Sequence, residues 1–103
     1  MSRSTIYILP SAWDEIKRLP GTMRQRVRRA IAALADNPQP EHSRQLQSPA
    51  PEHTLWRLRL DRWRLVDLLS EADATVTVLA VRRRPPYDYG DLSGLLEQIA
   101  DDT

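Results

Sequence analysis

A chain of 103 residues, 41% hydrophobic, with 15 Lys and Arg against 14 Asp and Glu, has material for one small domain spanning 1–103 and no second. It contains no cysteine, which excludes a disulfide framework, a thiolate metal site and a thiol nucleophile, and the expected compartment is the cytoplasm. No apolar run approaches the ~20 residues of a membrane helix, and the short apolar stretch 6–9, cut by Pro10, is not a signal peptide.

Residues 4–9 (STIYIL) form a β-branched and aromatic run stopped by Pro10, which predicts a strand. Ser11 stands ahead of Asp14 and Glu15 as a helix N-cap would, and Ala12, Trp13, Ile16 and Leu19 share a helical face. Pro20-Gly21 ends that helix. Thr22 is placed to cap a second one, whose apolar set is Met23, Val27, Ala30, Ile31 and Leu34, and Asn37-Pro38 closes it. Residues 38–51 carry four of the eight prolines and read as an extended linker anchored by Leu46. Residues 54–60 (TLWRLRL) alternate, with Trp56, Leu58 and Leu60 on one side and Leu55, Arg57 and Arg59 on the other, which predicts a half-buried strand with a basic outer face. Asp61-Arg62 then makes a hairpin tip, 63–69 the returning strand, and 75–81 (TVTVLAV) a central strand. Leu92, Leu95, Leu96 and Ile99 give a short C-terminal helix one apolar stripe. The resulting fold class is α+β, in the order β-α-α-β-β-β-α, with a mainly antiparallel sheet packed on an N-terminal helical hairpin.

The net charge of +1 conceals an asymmetry. Residues 88–103 hold five acids and no base, so the rest of the chain carries +6. Fourteen of the 15 bases are arginine, whose planar guanidinium suits phosphate. Seven arginines lie in residues 57–84 (Arg57, Arg59, Arg62, Arg64, Arg82, Arg83 and Arg84) against four acids. The plain reading is a solvated strand face. The functional reading is a phosphate-binding concavity to which separate strands contribute guanidinium groups.

The pattern resembles the RelE/ParE superfamily of type II toxin–antitoxin toxins over nearly the whole chain. The matching pieces are the opening strand with residues 10–19, Leu34-Ala35-Asp36-Asn37-Pro38, Leu46, Leu55-Trp56-Arg57-Leu58-Arg59-Leu60, Trp63-Arg64-Leu65-Val66, and Val78-Leu79-Ala80-Val81-Arg82-Arg83-Arg84 before Tyr87. The resemblance implies a RelE-like, microbial-ribonuclease-like domain and, in the RelE branch, cleavage of mRNA on the ribosome. It implies catalytic roles for Arg57, Arg59, Arg64, Arg84 and Tyr87, and attack of the ribose 2′-oxygen on the adjacent phosphate without metal or other cofactor. Arg62, Arg82, Arg83 and Tyr89 would bind RNA, and Tyr89 competes with Tyr87 for the tyrosine role.

Several relatives carry lysine where this chain has arginine, and a guanidinium is no general base near neutral pH. The base is therefore sought elsewhere, first at His42 and Glu41 in the long loop, with His53, Glu52 and the two tyrosines, Tyr87 and Tyr89, as the other candidates. The tryptophans, Trp13, Trp56 and Trp63, are expected in the core. The implied partners are mRNA on the ribosome and a cognate antitoxin, acidic and amphipathic, wrapping the arginine-rich helical hairpin; the acidic tail after residue 90 is the rival occupant of the basic face. The alternative function is that of a ParE-like inhibitor of DNA gyrase without nuclease activity.

Overall fold

Pro10 decides both where the first strand stops and where the first helix starts. Its ring fixes φ and removes an N–H, which ends a strand and suits the first helical turn, where that N–H would have no partner. In the computed structural model, which describes residues 3–47, 54–83 and Leu95, β1 (Thr5–Ile8) is followed at once by α1 (Pro10–Lys17) and then by α2 (Gly21–Leu34). Leu9 and Pro20 occupy the two N-cap positions and neither makes a side-chain cap, so Ser11 and Thr22 are not the caps that their spacing suggested. The prolines overrule them by setting the extended backbone that enters each helix.

Four more strands follow: β2 (Ser43–Leu46), β3 (Thr54–Leu60), β4 (Trp63–Ser70) and β5 (Thr75–Arg83). Together with β1 they form one sheet in the order β1-β5-β4-β3-β2. Pairing is antiparallel except between β1 and β5, which run parallel from Thr5 opposite Thr75 to Ile8 opposite Val78. The strand β2 corrects the reading of 38–51 as a linker. SRQL has little strand propensity of its own; it becomes a strand because it lies against β3, with Leu46 opposite Leu55. Of the expected C-terminal helix only Leu95 is described; it is helical and buried in the main apolar cluster.

Register assigns the two faces. Ile6, Ile8, Val76, Val78, Leu58, Leu60, Leu65, Val81 and Leu69 share one face, and this apolar surface takes Ala12, Ile16, Val27, Ile31 and Leu34 from the helices. Burying each of the larger side chains stabilises the fold by roughly 1.5–3 kcal/mol. The opposite face holds Leu55, Val66, Leu68 and Ala80, all buried, beside the arginines. Leu55, expected outside with Arg57 and Arg59, is only 2% exposed, so this face is apolar toward one end and basic toward the other. Between Val66 and Asp67 the β4–β5 register slips and leaves Leu79 as an extra residue, a bulge in β5 that increases the local twist.

The core expectation fails for Trp13. The residue is 36% exposed on the helical hairpin, with Lys17 Nζ and the Arg28 guanidinium each 6.0 Å from the ring centre. Trp56 and Trp63 do pack against the core from partly buried positions, and Trp56 Nε1 donates to Thr54 Oγ1 at 2.8 Å. No described helix is long and apolar enough to cross a membrane.

Candidate nucleic-acid interface

Side chains opposite one another on paired strands share a face, and the sheet uses that rule to line up arginines. Arg44 on β2 stands opposite Arg57 on β3. One pair further along, Arg59 on β3 is opposite Arg64 on β4, which is opposite Arg82 on β5. All five occupy the face away from the helices. Like charges directly opposite one another oppose sheet formation, so two such rows are hard to explain by stability alone. Arg44 belongs to this set although the sequence reading passed over it, because a residue in a supposed linker has no face; its pairing with Arg57 exists only once β2 is seen.

The five differ in environment. Arg44 and Arg59 are exposed. Arg57 is half-buried, and its Nε is shielded from solvent without a hydrogen-bond acceptor among the described residues. A buried donor left unmatched is costly, and a phosphate oxygen would satisfy it. Arg64 was expected on an open surface but is 3% exposed. Its Nη1 donates to the carbonyls of Asp61 at 2.9 Å and Trp63 at 3.0 Å, folding the guanidinium back over the β3–β4 hairpin. Part of Arg64 is thus committed to shaping the tip. Arg82 is mostly buried, and its Nε lies 3.2 Å from Glu15 Oε2.

Two other arginines stand apart from the rows. Arg62 is an exposed residue of the hairpin tip, and Arg83 is exposed opposite Trp63, which puts it in the register of the helix-facing side. Arg84, Tyr87 and Tyr89 lie outside the described residues, as do Glu52 and His53. Glu41 and His42 are exposed in the turn before β2, where His42 adopts a φ of 69° and its carbonyl accepts the Arg59 N–H at 3.2 Å. This backbone link anchors the two base candidates beside β3 at its exposed arginine, Arg59.

The hairpin tip is fastened from both sides of the sheet. Asp61 takes a left-handed φ of 56°, tolerated by aspartate, and its carboxylate pairs with Arg26 of α2 while its carbonyl receives Arg64. Among the described residues no group of three or more His, Asp or Glu side chains could hold a metal ion. The arrangement can bind and polarise a phosphodiester through guanidinium groups.

Comparison with known proteins places this geometry on a known fold. No family model matches the chain, and neither does any curated protein. Solved structures do. An archaeal RelE–RelB complex from Pyrococcus horikoshii aligns with a TM-score of 0.74 at 18% identity, over 82% of this chain and 99% of that one. The toxin–antitoxin complex RelBE2 from Mycobacterium tuberculosis gives 0.66 at 19% identity, over 80% and 99%. The isolated Escherichia coli RelE toxin gives 0.61 at 20% identity, over 93% and 98%. The chain therefore has the RelE fold.

Proposed function

We propose that this chain is the toxin of a type II toxin–antitoxin pair and acts in the cytoplasm as a ribosome-dependent mRNA endonuclease. The observation that carries the reading is the pair of arginine rows on one sheet face, Arg44–Arg57 and Arg59–Arg64–Arg82, in a domain with the RelE fold.

In the proposed reaction the ribose 2′-oxygen attacks the adjacent phosphorus, a base removes the 2′-proton, and the 5′-oxygen leaves as it gains a proton. The products are a 2′,3′-cyclic phosphate and a free 5′-hydroxyl. Charge builds on the non-bridging oxygens, and preorganised guanidinium donors stabilise it more than they stabilise the ground state. Arg57 and Arg59 hold the phosphate, Arg64 orients the hairpin edge, and Arg84 contributes from beyond β5. His42, with Glu41 beside it, is the assigned base because arginine keeps its proton; Tyr87, or Tyr89 in the other register, protonates the leaving oxygen. Arg44, Arg62 and Arg82 serve the flanking RNA, whereas Arg83, in the register of the helix-facing side, is not placed to join them. No metal or cofactor is required.

The partner in the cell is an acidic, amphipathic antitoxin. Lys17, Arg18, Arg24, Arg28 and Arg29 are exposed on the helical hairpin around the exposed Trp13, a surface that a segment folding on binding would neutralise and cover.

Mapping mRNA ends after brief induction tests the function. Cuts phased to the ribosomal A site support it; intact mRNA with DNA-damage signalling overturns it in favour of gyrase inhibition. Arg59→Ala, at an exposed position, should keep the fold and lower cleavage on the order of 100–1,000-fold, the typical cost of one charge-stabilising donor.

A further inference from the structure

The parallel partner of β5 is shorter than β5 itself. The β1–β5 pairing ends at Ile8 opposite Val78, with one more bond from the Leu9 N–H to the Val78 carbonyl at 3.1 Å. Beyond that point residues 80–83 keep β4 on one side, from Val66 opposite Ala80 to Trp63 opposite Arg83, and among the described residues have no strand on the other. An open edge of this length tends to fray or to recruit another strand.

Glu15 of α1 occupies that edge. Its Oε1 accepts the Val81 N–H at 3.0 Å, taking the place of a strand carbonyl, and its Oε2 accepts Arg82 Nε at 3.2 Å. The carboxylate is 29% exposed and the Arg82 side chain 20%, so the pair is sheltered more than a surface ion pair. The turn at Pro10 makes this possible, because it starts α1 directly after β1 and brings its second turn alongside the unpaired part of β5.

We infer that Glu15 is a positioning residue for the phosphate-binding face. It ties the last residues of β5 to α1 and fixes the place of Arg82 in the row with Arg64 and Arg59. This rests on the proposed function of the arginine face for its catalytic consequence, but the tether itself does not.

Two variants of the full chain separate the roles. Glu15→Gln keeps an oxygen for the Val81 N–H and loses the charge that holds Arg82; Glu15→Ala loses both. Amide hydrogen exchange on the free protein reads the tether, and cleavage of ribosome-bound mRNA reads the consequence as separate kcat and KM. For Glu15→Ala, exchange at Val81 should rise at least tenfold relative to Leu65 and Val66 of β4, and kcat should fall about tenfold with KM within twofold. Glu15→Gln should keep Val81 protected and recover only part of kcat, the remaining deficit reporting the weakened hold on Arg82. Unchanged Val81 exchange in the alanine variant overturns the tether, and a tenfold rise in exchange with unaltered kcat overturns the positioning role. If Glu15→Ala does not fold, a glutamine variant that folds but exposes Val81 also overturns it. Failure of the nuclease reading is recognised separately, by a parent protein that cuts no mRNA while the exchange result stands.

Discussion

Asp67 is the residue whose environment most conflicts with its chemistry. It sits on β4 opposite Trp56, is 1% exposed, and has a buried Oδ2 with no hydrogen-bond partner among the described residues. Burial penalises the carboxylate and pushes its pKa from 3.8 up to about 7. The folded state therefore holds this proton through a range in which the unfolded chain releases it. The stabilisation is complete below the unfolded pKa, is lost as pH rises toward the folded value, and is absent above about 7. At 1.36 kcal/mol per pKa unit the full span is on the order of 4 kcal/mol. Asp67→Asn should match the parent at pH 4, exceed it at pH 8 and flatten the slope between, as urea unfolding across that range would reveal. A second residue-scale prediction concerns Ala74, which adopts a φ of 53° in the β4–β5 turn while its carbonyl accepts the Thr5 N–H. A left-handed alanine costs roughly 1–2 kcal/mol, part of which glycine returns as extra freedom in the unfolded chain. Ala74→Gly should raise stability by about 0.5–1 kcal/mol, measured by thermal melting.

At the level of elements, legibility followed the strength of local pattern. The two helices were readable because Ile16, Val27, Ile31 and Leu34 repeat at helical spacing, and β3 to β5 because residues 54–60 and 75–81 have strand periodicity or composition. The strand β2 was not, since SRQL acquires its conformation from β3. That miss also hid Arg44. The bulge at Leu79 and the burial of Arg64 were equally invisible, because each arises from how β4 meets its neighbours. Alternation correctly separated Arg57 and Arg59 from Leu58 and Leu60 but could not show that Leu55 would be covered. If Arg44 contacts an RNA phosphate, Arg44→Ala should leave melting unchanged and reduce the salt slope of RNA binding by about 1, without altering sequence preference. An unchanged slope removes Arg44 from the interface.

At the scale of the molecule, the described residues gather positive charge on two surfaces, the arginine rows of the sheet and the outer side of the helical hairpin. Trp13 lies on the second and is a natural reporter there, flanked by Lys17 and Arg28. Binding of the proposed antitoxin should shift tryptophan emission to shorter wavelength in the parent and much less in Trp13→Phe. An equal shift in both would mean that the partner leaves the hairpin uncovered. A nuclease substrate should compete little with this signal if the two surfaces are separate.

The parallel pairing of β1 with β5 also has a consequence for the order of events during synthesis. Thr5 cannot meet Thr75, nor Ile8 meet Val78, until some seventy further residues have left the ribosome. Such distant contacts form slowly, because a long loop must close before it is rewarded. Until then α1 has no β5 to lie against, Glu15 has no Val81 amide to receive, and Arg82 has no place in its row. A partly made chain thus has neither a closed sheet nor an assembled anion site. If the chain is the proposed nuclease, the ribosome producing it meets no finished site, and the interval leaves time for the proposed antitoxin to bind before the arginines are in position.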